Sequence, residues 1–272
     1  MLFRSVVSYG DLGTSGLDTV DYWLTDAILH PPDSAERFTE ALVRLPVFEV
    51  HRRPEDAPAP APPPSAAAGR VTFGSSNNPA KLSTATLDAW AALLRRVPDA
   101  RLLLRYFEVF ETPGVQAHYR ALFAARGVAA DRLVFAGGTP DRAHYLALLD
   151  GVDVALDPFP FNGCTTTFEA LWMGVPVVTL AGGRFVGRVG AGILARVGLD
   201  ELIARSAEDY VAAAAAIAAD LPRRRALRDE LRRRLAASPL CDPVSHARGV
   251  EAAYRAMWRR WCSGDREPRC PR

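Results

Sequence analysis

Lysine is nearly missing from this chain. Of its 33 basic residues, Lys81 is the sole lysine and all the others are arginine. An ammonium is a compact point charge and a guanidinium a planar fork, so one lysine among arginines marks a position to explain. Long apolar runs are missing too. Nothing approaches the ~20 residues a membrane-spanning helix needs, and the opening Met1-Leu2-Phe3-Arg4 meets Gly10 too soon for a signal peptide, so a cytoplasmic protein without a membrane partner is expected. Cysteine is sparse. Cys164, Cys241, Cys262 and Cys270 form no Cys-x-x-Cys pair and have no histidine at zinc spacing, which predicts neither a disulfide framework nor a structural metal. Asp-x-Asp is absent as well, so the manganese-dependent way of holding a sugar-nucleotide diphosphate has no visible ligands, and no metal or other cofactor is expected. Excess charge of one sign is also lacking: a net charge of +2 offers no bulk attraction for nucleic acid. The arginines at 223 to 225 and 232 to 234, interrupted by Asp229 and Glu230, read as a solvated helix face.

What is present suits a folded enzyme-sized domain, since about half of the 272 residues are hydrophobic and a sizeable core can form. Residues 54 to 69, PEDAPAPAPPPSAAAG, read as an extended linker that packs no core. They divide the chain into a first piece (1–50), a linker (51–69), a main lobe (70–240), a terminal helix turning back toward the first piece (241–262) and a tail (263–272). The first piece holds a glycine-rich turn, the run VDYWLTD and a short helix expected near 34 to 44. It is too small for an ordinary independent domain. In the main lobe, β-rich runs at 71–75, 101–106, 132–136, 152–156 and 175–180 alternate with helical patterns near 83–96, 113–126, 140–149, 165–173 and 185–197. Ser83 is a plausible cap, and Gly127, Gly174 and Gly198 are plausible stops. Such alternation predicts the α/β class: a Rossmann-like parallel sheet covered by helices on both faces. A last helix near 245–262 carries Tyr254, Met257, Trp258 and Trp261 in a stripe read as packing surface.

In open parallel sheets, ligands bind beyond the carboxyl ends of the strands, where helix amino ends favour anions. Two loops fit. GSSNNPAK (74–81) leaves a strand and ends at Lys81. FNGCTTTFE (161–169) opens a helix with Cys164, Thr165, Thr166 and Thr167, whose small polar side chains let a phosphate come close. Glu169 has two readings of equal weight: a capping box with Thr166, or an acceptor for a ribose diol. His144 can stack on a base, although a surface histidine is commoner. Gly190-Ala191-Gly192-Ile193-Leu194-Ala195 matches a dinucleotide fingerprint, but some ten residues separate it from the preceding strand. An oxidoreductase binding NAD is therefore only a distant alternative.

Taken in order, YGDLGTSGLDTVDYWLTD, VTFGSSNNPAKLS, DPFPFNGCTTTFEALWMGVPVVTL, SPLCD and YRAMWRRW resemble the catalytic region of O-linked N-acetylglucosamine transferases and their bacterial SPINDLY-like relatives, glycosyltransferase family 41. The resemblance runs from about residue 9 to 262. It implies two Rossmann-like lobes of GT-B type with UDP-N-acetylglucosamine in the cleft, and inverting, metal-independent transfer to serine or threonine hydroxyls of a protein acceptor. By position, it puts Lys81 and Asn78 at the donor diphosphate, Thr165 and Thr166 at the same phosphates, Glu169 at the ribose, His144 stacked on uracil, and Thr139 at the uracil edge. Cys164 stands at the donor phosphates, where animal members have a phosphate-contacting histidine, as a small residue compatible with bacterial relatives. Asp141 replaces a lysine, and Asp11-Leu12 replace Tyr-Pro. The family's amino-terminal lobe and its tetratricopeptide repeats would precede this chain, so a remnant of that lobe is expected here. The rival expectation is a non-catalytic remnant that keeps UDP affinity.

Overall fold

The computed structural model describes residues 5–7 and 13–264. Asp11, Leu12 and the expected tail from residue 265 onward lie outside the described residues. Two parallel sheets organise the chain. The first has the order β1-β2-β3, with β1 Ser5–Val7, β2 Val20–Asp26 and β3 Ala41–Leu45. The second has six strands: β4 Thr72–Ser75, β5 Arg101–Arg105, β6 Leu133–Ala136, β7 Val154–Leu156, β8 Val177–Leu180 and β9 Ile203–Ala204. Their spatial order is β6-β5-β4-β7-β8-β9, and every pairing is parallel. The chain builds outward from β4 in one direction and then returns to build outward in the other from β7. The strand order therefore reverses between β4 and β7, the place where such sheets open a crevice for ligands.

The connecting helices are α1 Ser65–Ala68, α2 Thr84–Arg96, α3 Pro113–Ala124, α4 Arg142–Leu148, α5 Thr165–Trp172, α6 Val189–Ala195, α7 Ala207–Ala219, α8 Leu221–Ala237 and α9 Pro243–Ser263. Sheet and helices enclose a continuous core that includes Phe73, Trp90, Leu102, Leu104, Val154 and Phe168. Local chemistry sets the boundaries as expected. The Ser83 hydroxyl accepts from the Thr86 amide at 3.1 Å to start α2, and Gly127, Gly174 and Gly198 all adopt positive φ. Gly174 is the tightest: its φ is +73°, and a Cβ there would lie 2.8 Å from the Arg228 Cα and carbonyl oxygen. Adding the left-handed penalty to the overpacking against backbone, Gly174→Ala should cost about 2–4 kcal/mol of stability in a urea unfolding curve.

Four expectations need correction. The helix expected near 34–44 is absent: Ala41–Leu45 pairs in register with Tyr22–Asp26, and partners distant in sequence override the local pattern. The proline- and alanine-rich stretch is not a bare spacer. Its Ala61 amide donates to Asp150 at 3.1 Å, Ser65 donates to Asp153, and Arg232 donates to the Pro58 carbonyl at 2.6 Å, so polar tethers hold it while Ala57 packs against the core. The arginine-rich helix α8 is not merely a solvated face, because Arg224 and Arg228 are 3% exposed and reach buried carbonyls and carboxylates. On α9 the packing stripe is Val250, Ala253 and Met257. Tyr254, Trp258 and Trp261 are exposed. The first half of α9 meets the end of β3, with the His246 Nδ1 3.2 Å from the Val47 carbonyl. Among the described residues, no helix is long and apolar enough to cross a membrane.

Candidate functional site

A cavity of about 430 Å³ opens at the carboxyl ends of the central strands. Ser76 follows β4, Arg105 closes β5, Thr139 follows β6, and Thr165, Thr166 and Glu169 come from α5. Of the residues singled out in the sequence, Thr139, Thr165, Thr166 and Glu169 are thus brought together on one cavity wall. Lys81 and Cys164 lie beside it at the loop that opens α5. The Lys81 Nζ donates to the Asn162 carbonyl at 2.8 Å and sits 4.1 Å from the Phe161 ring centroid. Burial pulls the Lys81 pKa below the ordinary lysine value, and nearby Asp157 and Cys164 oppose that shift.

Asn78 and His144 are placed differently from the rest. The Asn78 Oδ1 accepts from the Ala80 amide at 2.9 Å and caps the short turn Pro79–Lys81. His144 is exposed, and its Nδ1 pairs at 2.8 Å with Asp141, the residue that caps α4. Neither of them, nor Lys81 or Cys164, is among the cavity-lining residues. For Glu169 the capping-box reading is set aside. The residue capping α5 is Cys164, which makes no side-chain cap bond, while the Glu169 carboxylate pairs with Arg142 at 3.0 Å. Burial raises the Glu169 pKa, and Arg142 works against the rise. The glycine-rich fingerprint lies inside α6, where a Cβ on Gly190 would sit 2.3 Å from an Asp157 oxygen and 2.4 Å from the Thr179 hydroxyl. Gly190 serves helix–sheet packing and Gly192 faces Ile28 and Leu29, so these glycines are packing positions, which removes the basis for the oxidoreductase alternative.

Several site residues escaped the sequence reading. Arg105 is buried at the end of β5. It donates to the Gly137 carbonyl at 3.2 Å and the Thr139 hydroxyl at 3.3 Å, and stacks 4.1 Å from the Tyr145 ring centroid. A charge closing the apolar run RLLLR was its only signal. Asn77 accepts from the Thr166 hydroxyl at 3.0 Å, which locks the β4 loop to α5 across the switch point. Asp157, fully buried at the end of β7, accepts from the Gly163 amide at 2.6 Å and the Thr179 hydroxyl at 2.7 Å. These bonds hold the loop that presents Cys164 and the threonines.

Burial pushes the Asp157 pKa up to about 7, against the hydrogen bonds from Thr179 and Gly163. The folded protein then holds this proton while the unfolded chain, with a carboxyl pKa of about 4, releases it. The stability contribution is complete below pH ~4 and is lost as pH rises to ~7. Asp157→Asn, which cannot ionise, should remove that slope, and the stability difference between variant and wild type in urea melts should shift in the variant's favour across this window.

The chain matches the family described as Glycosyl transferase family 41 over residues 65–249. It is 39% identical over 253 residues to the probable UDP-N-acetylglucosamine–peptide N-acetylglucosaminyltransferase SPINDLY of Oryza sativa subsp. japonica, covering 93% of this chain and 27% of that protein. The Arabidopsis thaliana protein of the same description is 37% identical, with 93% and 28% covered. Among solved structures, a mutant of the Thermobaculum terrenum O-GlcNAc transferase superposes with a TM-score of 0.88 at 38% identity, covering 96% of this chain and 49% of that one. The chain spans about a quarter of the length of the curated relatives it matches.

Proposed function

Because the chain belongs to glycosyl transferase family 41 and carries a GT-B-type parallel sheet, we propose that it forms the donor-binding part of an enzyme transferring N-acetylglucosamine from UDP-N-acetylglucosamine to protein serine or threonine hydroxyls. The observation that carries this reading is the cavity at the switch point, whose volume suits a nucleotide and whose wall joins hydroxyls, a helix amino end and a carboxylate. In it, Thr165 and Thr166 donate to diphosphate oxygens, Glu169 accepts from the ribose diol, and Thr139 meets the base. Asn78 and His144 reach the donor after their present partners are exchanged for it. Lys81 stands at the phosphate side.

The chemistry assigned to this chain concerns the leaving group. As the acceptor oxygen attacks the anomeric carbon in line, the bond from that carbon to the diphosphate breaks and its electron pair stays on the β-phosphate oxygen. The Lys81 ammonium and the amino end of α5 stabilise that growing charge, the usual largest contribution in such transfers. The configuration inverts in this single displacement, and no metal enters it. The acceptor hydroxyl, its base and any repeats that select the acceptor protein belong to regions outside this chain in our reading, with residues 1–50 as the part of an amino-terminal lobe present here. The small side chain at Cys164 supports a bacterial-type member. The free thiols of Cys164, Cys241 and Cys262 fit a reducing, cytoplasmic setting.

Calorimetric titration of the purified chain with UDP is expected to show one site of micromolar or weaker affinity. Absence of binding would reject the donor site. A labelled-donor assay then separates a transferring enzyme from a remnant that only binds.

A further inference from the structure

Outside the cavity, three metal-capable side chains converge from two remote parts of the chain. Glu49 and His51 lie in the segment that leaves β3, and Cys164 caps α5. Their ligand atoms all lie within 4.8 Å of one another, and this is the one such trio among the described residues. The Cys164 Sγ is 3.3 Å from the Glu49 Oε2, and the His51 Nε2 is 3.8 Å from the same oxygen. A tetrahedral zinc with bonds of about 2.0–2.3 Å holds its ligands roughly 3.4–3.6 Å apart, so both separations come within a few tenths of an ångström of what the ion requires.

The site is built and buried. The side chains of His51 and Glu49 are only 10% and 7% exposed. The imidazole plane is fixed by stacking on Phe168, 4.3 Å between centroids and 14° between planes, and the His51 amide donates to the Leu240 carbonyl at 2.8 Å. Upstream, the Phe48 amide donates to Asp26, which also pairs with Arg196 at 2.6 Å, so the whole segment is held. Within this rigid frame the buried His51 Nε2 has no hydrogen-bond partner. An orphaned nitrogen in a buried place is costly unless something binds it. One sulfur, one nitrogen and one oxygen suit a borderline ion, while magnesium and calcium demand oxygen throughout.

We propose that Glu49, His51 and Cys164 form a zinc site that clasps the segment leaving the first sheet to the amino end of α5. On binding, the thiol proton of Cys164 and any proton on Glu49 pass to solvent, and His51 coordinates through Nε2 with its other proton on Nδ1. Three protein ligands leave a fourth position for water. The ion clasps two segments beside the donor cavity, and the inference stands whether or not the chain binds UDP.

The test is to strip the purified chain with a chelator and titrate it with Zn²⁺ against a chromophoric competitor, with Co²⁺ as the optical probe. One equivalent of either metal is expected, and cobalt should give thiolate charge-transfer absorption. Cys164→Ser should abolish that band and weaken zinc binding roughly 100-fold or more, since loss even of outer partners costs 10–100-fold. His51→Phe keeps a ring against Phe168 while removing the nitrogen, and should weaken zinc similarly. Cys241→Ser, at another buried thiol, should change neither. Circular dichroism confirms that each variant is folded, and if Cys164→Ser fails to fold, His51→Phe decides. Cobalt bound without the thiolate band, no stoichiometric metal, or zinc affinity equal in wild type and His51→Phe would overturn the proposal. Zinc binding alongside failed UDP binding would remove only the donor reading.

Discussion

Lys81→Ala is expected to weaken UDP binding about 10–100-fold and, in a transfer assay, to lower turnover about 10²–10³-fold. The first figure is the loss of one charge-assisted hydrogen bond, about 1.5–3 kcal/mol. The second is larger because the ammonium acts on charge that develops only as the bond to the diphosphate breaks. The geometry permits a clean experiment. Lys81 ends a short surface turn, and its ammonium donates a hydrogen bond to the Asn162 carbonyl, so its removal leaves the core intact. Lys81→Arg should recover only part of the loss, since a planar fork cannot occupy the same point beside Phe161. Calorimetry and a labelled-donor assay read the two effects separately, and a variant indistinguishable from wild type in both would refute the role given to this residue.

Asp153→Ala should be the most damaging substitution for stability, costing about 3–5 kcal/mol in urea unfolding. Asp153 is fully buried beside β7 and accepts from the Ser65 hydroxyl at 2.5 Å, the Ser65 amide at 3.2 Å and the Thr72 amide at 2.9 Å. The Arg224 guanidinium stands 3.6 Å away. Removing the carboxylate leaves a buried cation and several donors unmatched, which costs more than the pair itself contributes. The same carboxylate tethers the proline- and alanine-rich stretch. Limited proteolysis of the variant should therefore cut between residues 54 and 69 at a protease concentration that spares the wild type. Joint replacement of Asp153 and Arg224 by apolar residues should cost less than the sum of the single changes.

These two residues show how far the sequence could be read. The strands of the main lobe were visible as apolar runs between helical patterns, and Thr165 and Thr166 were visible because hydroxyls cluster where a helix begins. The reversal of strand order between β4 and β7 was not visible, because pairing joins segments far apart in the chain. Whatever depends on that reversal was hidden with it. Arg105 looks like any strand-ending arginine until β6 and α4 bring Thr139 and Tyr145 to it. Asp153 and Arg224 look like surface charges until α8 lays one on the other. Glu49 and Cys164 are 115 residues apart, beyond any motif spacing. The strand Ala41–Leu45 departs from its local pattern for the related reason that its partner decides its state.

The scarcity of lysine has a practical side. Apart from the α-amino group, the side chain beside Phe161 is the only primary amine the chain owns. Reagents that acylate amines, ordinarily scattered over a protein's surface, are thereby confined by composition to the α-amino group and the Lys81 ammonium beside Phe161. A protease specific for lysine has a single place to cut, and peptide mapping would resolve modification of that one nitrogen without any engineering.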